Sequence, residues 1–317
     1  MLQTLAITGP IYLVIALGFL AGRLGVFSKA DIRVLGTYVA KFALPALVFT
    51  ALSQRSVSEI FNPAYVSGYA AGSLELMFLA YQIASRLQHK STSLSALCAL
   101  GVSSSNSGFI GYPIAIIVAG PESAAVGLAM CMMVENLLMI PLALVLAEAG
   151  RSNTGGFALF LHSVKQLVRN PVILGIAGGF AVSMTGINIS GVLARSINML
   201  AMSSAAVSLF VIGGSLVGLQ IAGMRRDVST IAIAKLTLHP LAVGTMMWLL
   251  PPAEPSLRAA AVVFAGTPML SIYPIVAQRY GFDGMCAAAL LLCTVVSFVS
   301  ISVMLWILGP VMGWAPG

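Results

Sequence analysis

Charged residues are scarce in this sequence. Only 8% of its 317 residues are Asp, Glu, Lys or Arg, whereas soluble domains carry about 25%. Hydrophobic residues make up 59%, and the mean hydropathy is +1.01. A chain this apolar cannot cover itself with a polar surface, which excludes a soluble globular class. The composition predicts an all-α protein that crosses a membrane many times.

Reactive residues are also few. The four cysteines, Cys98, Cys131, Cys286 and Cys293, fall in apolar segments without CxxC spacing. We therefore expect small packing residues and no metal site or disulfide framework. A GxSxG motif is absent, and the hydroxyl-rich segments lack a placed His or Asp to serve as a base. The sequence therefore argues against an enzyme.

Ten segments are long and apolar enough to span a membrane, since about 20 helical residues cross roughly 30 Å of hydrocarbon. Their approximate limits are Pro10 to Leu24, Ile32 to Leu52, Pro63 to Ser85, Ser93 to Ala119, Ser123 to Ala147, Pro171 to Ile187, Ile197 to Ala222, Val228 to Leu250, Leu257 to Gln278 and Gly284 to Leu308.

Basic residues alternate between the loops that connect these spans. Eleven fall on one side of the membrane, and three, Arg55, Arg195 and Arg258, fall on the other. Because Lys and Arg favour the cytoplasmic side, we expect both termini on the non-cytoplasmic side of the cytoplasmic membrane. The first span is expected to be retained, since MLQTLAIT lacks a basic n-region. The basic residues form no aromatic-bearing patch, so nucleic acid is not an expected partner.

The chain aligns with itself at a single offset. A shift of 161 residues pairs Pro10 with Pro171, Gly18 with Gly179, Phe49 with Phe210, Tyr112 with Tyr273 and Pro113 with Pro274. This predicts two five-helix halves, residues 1–149 and 171–317, with a linker at 150–170. Since five is odd, the halves are inverted repeats, as in secondary transporters. In the linker, helical spacing of apolar residues over 157–168 predicts an interfacial helix; the start of span six is the alternative.

Two spans contain helix-breaking residues. Ser105 to Ile114 reads SNSGFIGYPI, and its repeat mate, Thr267 to Val276, reads TPMLSIYPIV. Because proline removes a ladder hydrogen bond, we expect breaks near Gly108 to Tyr112 and around Pro274. A break at this depth must be buried in protein or line a watery cavity. The alternative is a proline kink that affects only how the helices pack.

Two such breaks would aim positive helix ends at a shared pocket, which favours an anion. Asn106 is the leading candidate for contacting that anion. The candidate substrate-binding residues are Ser105, Asn106, Gly108, Tyr112, Pro113, Thr267, Ser271, Pro274 and Lys41. Lys41 could instead snorkel to the interface.

Charged side chains inside spans need partners, because an unpaired charge costs roughly 2.5–3.5 kcal/mol there. Under the repeat offset, Glu75 lies at the depth of Lys235, so we expect an ion pair between them that is either structural or linked to a coupling ion. Glu135 with Asn136 could hold Na⁺, carry H⁺ or bond the break structurally. His239 is a secondary candidate for proton coupling or a packing residue. We expect no cofactor other than Na⁺ or H⁺.

Four motifs carry a family resemblance: KFALPALVF from Lys41, NSGFIGYP from Asn106, ENLLMIPL from Glu135 and KLTLHPL from Lys235. Together they resemble the auxin efflux carrier family in its short bacterial form. The resemblance implies a bile-acid/sodium-symporter-like fold, with broken helices crossing at spans four and nine. Spans one, two, six and seven would form a scaffold and homodimer interface. The other six would form a mobile, elevator-like transport unit.

The family's substrates are organic anions, including indole acetate in plants and dicarboxylates such as malate or malonate in bacteria. The resemblance therefore implies a secondary carrier for a small organic anion, with membrane lipid as its surroundings. The alternatives are an anion or solute channel and a sodium-coupled, bile-acid-like symporter. The chain lacks the long central loop of plant members, so their regulation is not implied.

Overall fold

The computed structural model describes residues 2–53, 62–149, 169–185, 187, 189, 191–218, 225–250, 254–278 and 280–311. This part of the chain is helical and contains no strand. In chain order the helices are α1 Leu2–Arg23, α2 Lys29–Ser53, α3 Pro63–Gln82, α4 Thr92–Ser103, α5 Tyr112–Ala119, α6 Pro121–Ala149, α7 Pro171–Thr185, α8 Gly191–Ser215, α9 Arg225–Leu249, α10 Pro255–Gly266, α11 Tyr273–Gln278 and α12 Asp283–Val311.

Six stretches of the described chain are long and apolar enough to cross a membrane. They are Lys29–Ser53, Thr92–Ala119, Pro121–Ala149, Gly191–Ser215, Arg226–Leu249 and Asp283–Ile307. Together with the shorter apolar helices Tyr12–Arg23, Pro171–Thr185 and Pro255–Gly266, they make this a multi-pass membrane protein. The count of ten spans stays a prediction. The interfacial helix predicted at 157–168 lies outside the described residues.

Side-chain caps fix where several helices start. Ser28 and Asp31 form a capping box at the start of α2, and Asn62 and Ser91 cap α3 and α4 by accepting from backbone N–H groups. Gly120, at φ +81, separates α5 from α6, a conformation that costs a glycine little. These local signals set the helix boundaries before tertiary packing contributes.

The chain leaves the helical conformation in the middle of two apolar stretches. The first interruption covers residues 104–106, after α4, and the second covers residues 267–272, between α10 and α11. The first therefore lies earlier than the predicted Gly108 to Tyr112, where the helix has already resumed as a π-helical turn, Ser107–Gly111. The predicted position was wrong because a π turn accommodates Pro113: Tyr112 N–H donates to the carbonyl of Ser107, five residues back, so the ladder widens instead of breaking.

Wide turns of this kind recur. Further π turns lie at Val39–Ala43 within α2, at Ile83–Leu87 after α3 and at Glu135–Met139 within α6. In three of the four cases a proline, Pro45, Pro113 or Pro141, follows two residues after the turn ends, whereas no proline follows Ile83–Leu87. The proline ring clashes with the carbonyl four residues earlier in an ordinary α-helix, and the wider turn relieves that clash. The turns also carry Lys41 and Glu135, in keeping with the frequent occurrence of π-bulges at functional sites.

The helices pack in pairs whose members are far apart in the chain: α1 against α8, α2 against α7, and α3 against α9. Glycines allow the closest approach. A Cβ at Gly18 would lie 2.1 Å from the carbonyl oxygen of Phe210, and one at Gly213 would lie 1.9 Å from that of Ile15. The α1–α8 contact therefore brings backbone against backbone, where small residues give membrane helices their packing contacts.

We expect the substitution Gly213→Ala to lower the free energy of unfolding by about 1–3 kcal/mol, because the added methyl group forces the two backbones apart. Gly9→Ala is the matched control, since a Cβ at Gly9 has no atom within 4 Å. Melting temperatures of the purified variants in detergent measure the difference. Equal melting temperatures for the two variants would contradict the close contact.

Candidate binding site

The two interruptions meet at Asn106. Its backbone N–H donates to the carbonyl of Pro268 over 2.7 Å, and its side-chain Nδ2 donates to Ser271 Oγ over 2.7 Å. Its Oδ1 accepts from Phe109 N–H over 3.3 Å, which caps the resumed helix. One residue therefore ends one interruption and fastens it to the other.

A cavity of about 620 Å³ lies beside this contact, and both Asn106 and Ser271 line it. Four of the predicted substrate residues line it: Lys41, Asn106, Ser271 and Pro274. The lining also includes Lys29, Arg33, Thr37, Phe109 and Thr294, which sequence reasoning did not assign to the site. A signal for three of these was present, because Lys29, Arg33, Thr37 and Lys41 recur at every fourth position. Lys29 and Arg33 were interpreted only as markers of membrane orientation.

The other predicted substrate residues lie elsewhere. Gly108 is buried against Leu44, where an added Cβ would come within 2.9 Å of Cδ1. Thr267 is fully buried and donates to the carbonyl of Phe264, and Pro113 is buried in the first turn of α5. None of the three is part of the cavity lining.

Tyr112 borders a second cavity. This cavity, of about 720 Å³, is lined by residues of α2, α5, α6 and α8, including Glu122, Asn198 and Ser204. The two cavities have no lining residue in common. The segment from Asn106 to Tyr112 thus borders one cavity at its start and the other at its end.

A cluster of buried polar side chains lies behind the first interruption, centred on Lys235. This lysine is 0% exposed. Its Nζ donates to Ser105 Oγ over 2.9 Å, to His239 Nδ1 over 2.7 Å and to the carbonyl of Ala265 over 2.6 Å. An ammonium group has three donors, so all of them are used.

The partners of His239 determine its tautomer. Lys235 can only donate, so His239 Nδ1 accepts and the ring proton lies on Nε2. Nε2 then donates to Ser73 Oγ, 2.9 Å away. His239 is thereby a neutral ring that makes a hydrogen bond at each nitrogen, one to Ser73 of α3 and one to Lys235 of α9. The histidine of the motif KLTLHPL therefore belongs to the cluster.

Glu135 completes the cluster from α6. It is 1% exposed, and Oε1 accepts from Ser105 N–H over 2.9 Å and from Tyr69 Oη over 3.1 Å. Oε2 accepts from Ser107 Oγ over 2.9 Å. Ser105 therefore joins Glu135 and Lys235, with its N–H on the carboxylate and its hydroxyl on the ammonium. Charges this deeply buried persist only when neighbours supply such bonds.

The ion pair predicted between Glu75 and Lys235 is wrong. Glu75 lies on the exposed face of α3, whereas every donor of Lys235 is used by Ser105, His239 and Ala265. The repeat offset matched the depths of the two residues but could not specify which face of α3 carries the carboxylate. The carboxylate that shares a partner with Lys235 is that of Glu135.

Asn136 points away from the cluster. Its Nδ2 donates to the carbonyl of Met132, and its Oδ1 accepts from Asn170 Nδ2 over 3.4 Å. Within the described part of the chain, no three His, Cys, Asp or Glu side chains are grouped closely enough to hold a metal ion. Any cation at this level would rely on Glu135 and on neutral oxygens.

We expect Lys235→Ala to destabilise the protein by about 3–5 kcal/mol, because it leaves Glu135 as a buried charge without a counter-charge. The double variant Lys235→Met with Glu135→Gln should recover part of that loss. Glu75→Ala, which removes an exposed charge from α3, is the control and should melt close to the parent protein. A Lys235→Ala variant as stable as Glu75→Ala would disprove the assigned pairing.

Comparison with known proteins identifies the family. The family model described as "Membrane transport protein" matches residues 8–305. A protein of Rhizobium meliloti (strain 1021) named "Putative malonate transporter" is 25% identical over 301 residues, which cover 94% of each chain. The "Uncharacterized transporter YfdV" of Escherichia coli (strain K12) is 23% identical over 237 residues, which cover 74% of this chain and 75% of that protein. The chain therefore belongs to the membrane transport protein family, which is the auxin efflux carrier family, and is a membrane transporter.

Proposed function

We propose that this transporter is a secondary carrier of a small organic anion, which it binds where the two interrupted helices meet. One observation carries the proposal. The hydrogen bonds from Asn106 to Pro268 and Ser271 lie beside a cavity whose lining has three basic side chains and, among the described residues, no acidic one. A carboxylate in this cavity would find an amide, a hydroxyl and the ammonium group of Lys41 among the lining groups, the donor types that bind carboxylates well.

Alternating access is the mechanism that best suits two separate cavities. The described lining of the first cavity includes Lys29 and Arg33, at the end of α2 predicted to be cytoplasmic, and that of the second includes Pro121 and Glu122, at the end of α6 predicted to face the opposite side. A carrier exposes its site to one side at a time, whereas a channel needs a continuous path. The separation favours the carrier over the anion or solute channel.

The proposed moving parts are those that the family resemblance implies. In this proposal ten spans form two inverted halves, and both termini lie outside the cytoplasm. The scaffold consists of α1, α2, α7 and α8, and the remaining helices slide against it as an elevator. The pairs α1 with α8 and α2 with α7 support this division, because each joins the first span of one half to the second span of the other. A homodimer would form through the scaffold.

The buried cluster is the proposed coupling device. Lys235 supplies an ammonium group that could take the place of a coupling cation, and Glu135 supplies the carboxylate. Because Ser105 bonds to both and precedes Asn106, a change in charge at either group would shift the segment that contacts substrate. H⁺ and Na⁺ are both candidates for the coupling ion, and the sodium-coupled, bile-acid-like symporter is the second candidate function.

The name of the Rhizobium relative makes malonate the first substrate to test.

We expect Asn106→Ala and Asn106→Asp to weaken carboxylate binding by at least about tenfold. A hydrogen bond to a charged group contributes about 1.5–3 kcal/mol, and 1.4 kcal/mol is a factor of ten. Asn106→Asp keeps the oxygen that accepts from Phe109 N–H. Weaker binding by this variant therefore reflects lost recognition of the carboxylate and not a misfolded helix start. Binding is measured as thermal stabilisation by malonate and by a panel of mono- and dicarboxylates. Ser67→Ala, which loses only a bond within its own helix, is the control.

Tight carboxylate binding by both Asn106 variants would rule out the assigned site. A parent protein that gives saturable uptake and counterflow in proteoliposomes is a carrier, whereas conductance far above carrier turnover would establish a channel.

We expect Glu135→Gln to abolish accumulation of substrate driven by an ion gradient while counterflow exchange persists. Neutralising the carboxylate removes the link to the coupling ion but leaves the Asn106 site in place. Uptake into proteoliposomes is measured with pH and sodium gradients imposed separately, and Glu75→Gln is the charge-matched control. If Glu135→Gln still concentrates substrate like the parent protein, the cluster is structural only.

A further inference from the structure

The face of α2 that borders the cavity carries a row of polar side chains. Lys29, Arg33, Thr37 and Lys41 follow one another at four-residue spacing, and all four are exposed and line the cavity. At 1.5 Å per residue, twelve residues of helix span roughly 18 Å. The row therefore extends from the start of α2 along a cavity that Asn106 also lines.

The π turn in α2 keeps this row on one face. In an α-helix of 3.6 residues per turn, positions four apart drift around the axis with every step. The turn Val39–Ala43 holds more residues per turn and reduces that drift over the last step. Lys41 consequently stays close to the face that Thr37 occupies.

The acidic residue in this segment does not neutralise the row. Asp31 lies between Lys29 and Arg33 in sequence, but its Oδ2 accepts from Ser28 N–H over 2.8 Å and from Ser28 Oγ over 2.6 Å. The carboxylate is thus held at the helix start, and Asp31 is not part of the cavity lining. Three positive charges face the cavity without an acidic side chain among its described lining residues.

The described lining of the second cavity lacks the basic side chains of the first. It contains no Lys or Arg and one acidic residue, Glu122. Clefts lined by one sign of charge concentrate counter-ions and speed their arrival. The two sides of the Asn106–Tyr112 segment therefore offer an anion different electrostatic environments.

We infer that Lys29, Arg33 and Lys41 form an electrostatic guide that draws anions to Asn106 from the side of the membrane on which α2 begins. This inference rests on the proposed function for its biological use, although the guide itself is a property of the charges. The orientation role of Lys29 and Arg33 requires only that they lie on the cytoplasmic side. Guidance requires that they face the cavity, as they do.

An anionic quencher tests the guide without knowledge of the substrate. The four native cysteines are buried, so a fluorophore can be attached selectively at Ser271→Cys in the basic cavity or at Asn198→Cys in the second cavity, both exposed positions. Quenching by iodide is divided by quenching by neutral acrylamide, which corrects for access. We expect this ratio at low salt to be about threefold or more higher at Ser271→Cys than at Asn198→Cys.

Adding Lys29→Gln and Arg33→Gln should remove most of that excess, and about 0.5 M salt should do the same because it screens charges beyond a few ångströms. Lys29→Arg with Arg33→Lys should retain the excess. Arg86→Gln, which removes an exposed basic residue outside the cavity lining, is the matched control and should leave the ratio unchanged.

Equal ratios at the two positions, or a ratio that Lys29→Gln and Arg33→Gln leave unchanged, would overturn the guide. Neither result affects the Asn106 binding test, so the guide can fail while the proposed function stands. Conversely, a charge-dependent iodide excess in a protein that binds no carboxylate would support the guide and refute the proposed substrate class.

Discussion

The hydrogen bond from Asn106 N–H to the carbonyl of Pro268 is the contact on which the rest of the site depends. In hydrocarbon, a backbone group released from a helix must find another partner. Here Ser104 N–H still reaches Leu100, Ser105 N–H finds Glu135, and Asn106 N–H finds Pro268. The interruption is stable only because the other interrupted helix and a buried carboxylate lie against it. The first interruption thus depends on the second for one of its backbone hydrogen bonds.

The same geometry explains why the charge cluster and the cavity are neighbours. Ser105 bonds to Lys235 and Glu135 in the cluster, whereas its neighbour Asn106 borders the cavity. In the proposed mechanism, the coupling cluster and the substrate site are therefore separated by one peptide unit. No long relay of side chains is needed between them.

Much of this arrangement was predictable, and the exceptions have physical causes. Helix-breaking residues at Ser105–Ile114 and Thr267–Val276 marked the two interrupted segments, and Asn106 was identified at their meeting point. The exact limits were missed because proline was expected to break the helix, whereas the protein widens the helix around Pro113 instead. Pro240 lies inside α9 without a widened turn, so a proline in the sequence does not by itself tell whether a helix breaks, widens or continues.

The partner of Lys235 was missed because sequence depth does not specify which face of a helix a residue occupies. The cavity-lining role of Lys29 and Arg33 was missed because cytoplasmic basic residues have a sufficient explanation in membrane orientation.

The widened turns also limit how this sequence can change. A π turn is an α-helix that holds one additional residue, so losing one residue from Ser107–Gly111 would let an ordinary helix close. Helix α5 beyond the turn would keep its orientation, because the additional residue is accommodated within the turn itself. Pro113 would then follow an ordinary helical turn, in which its ring clashes with the carbonyl four residues earlier, so the widened turn and Pro113 depend on each other.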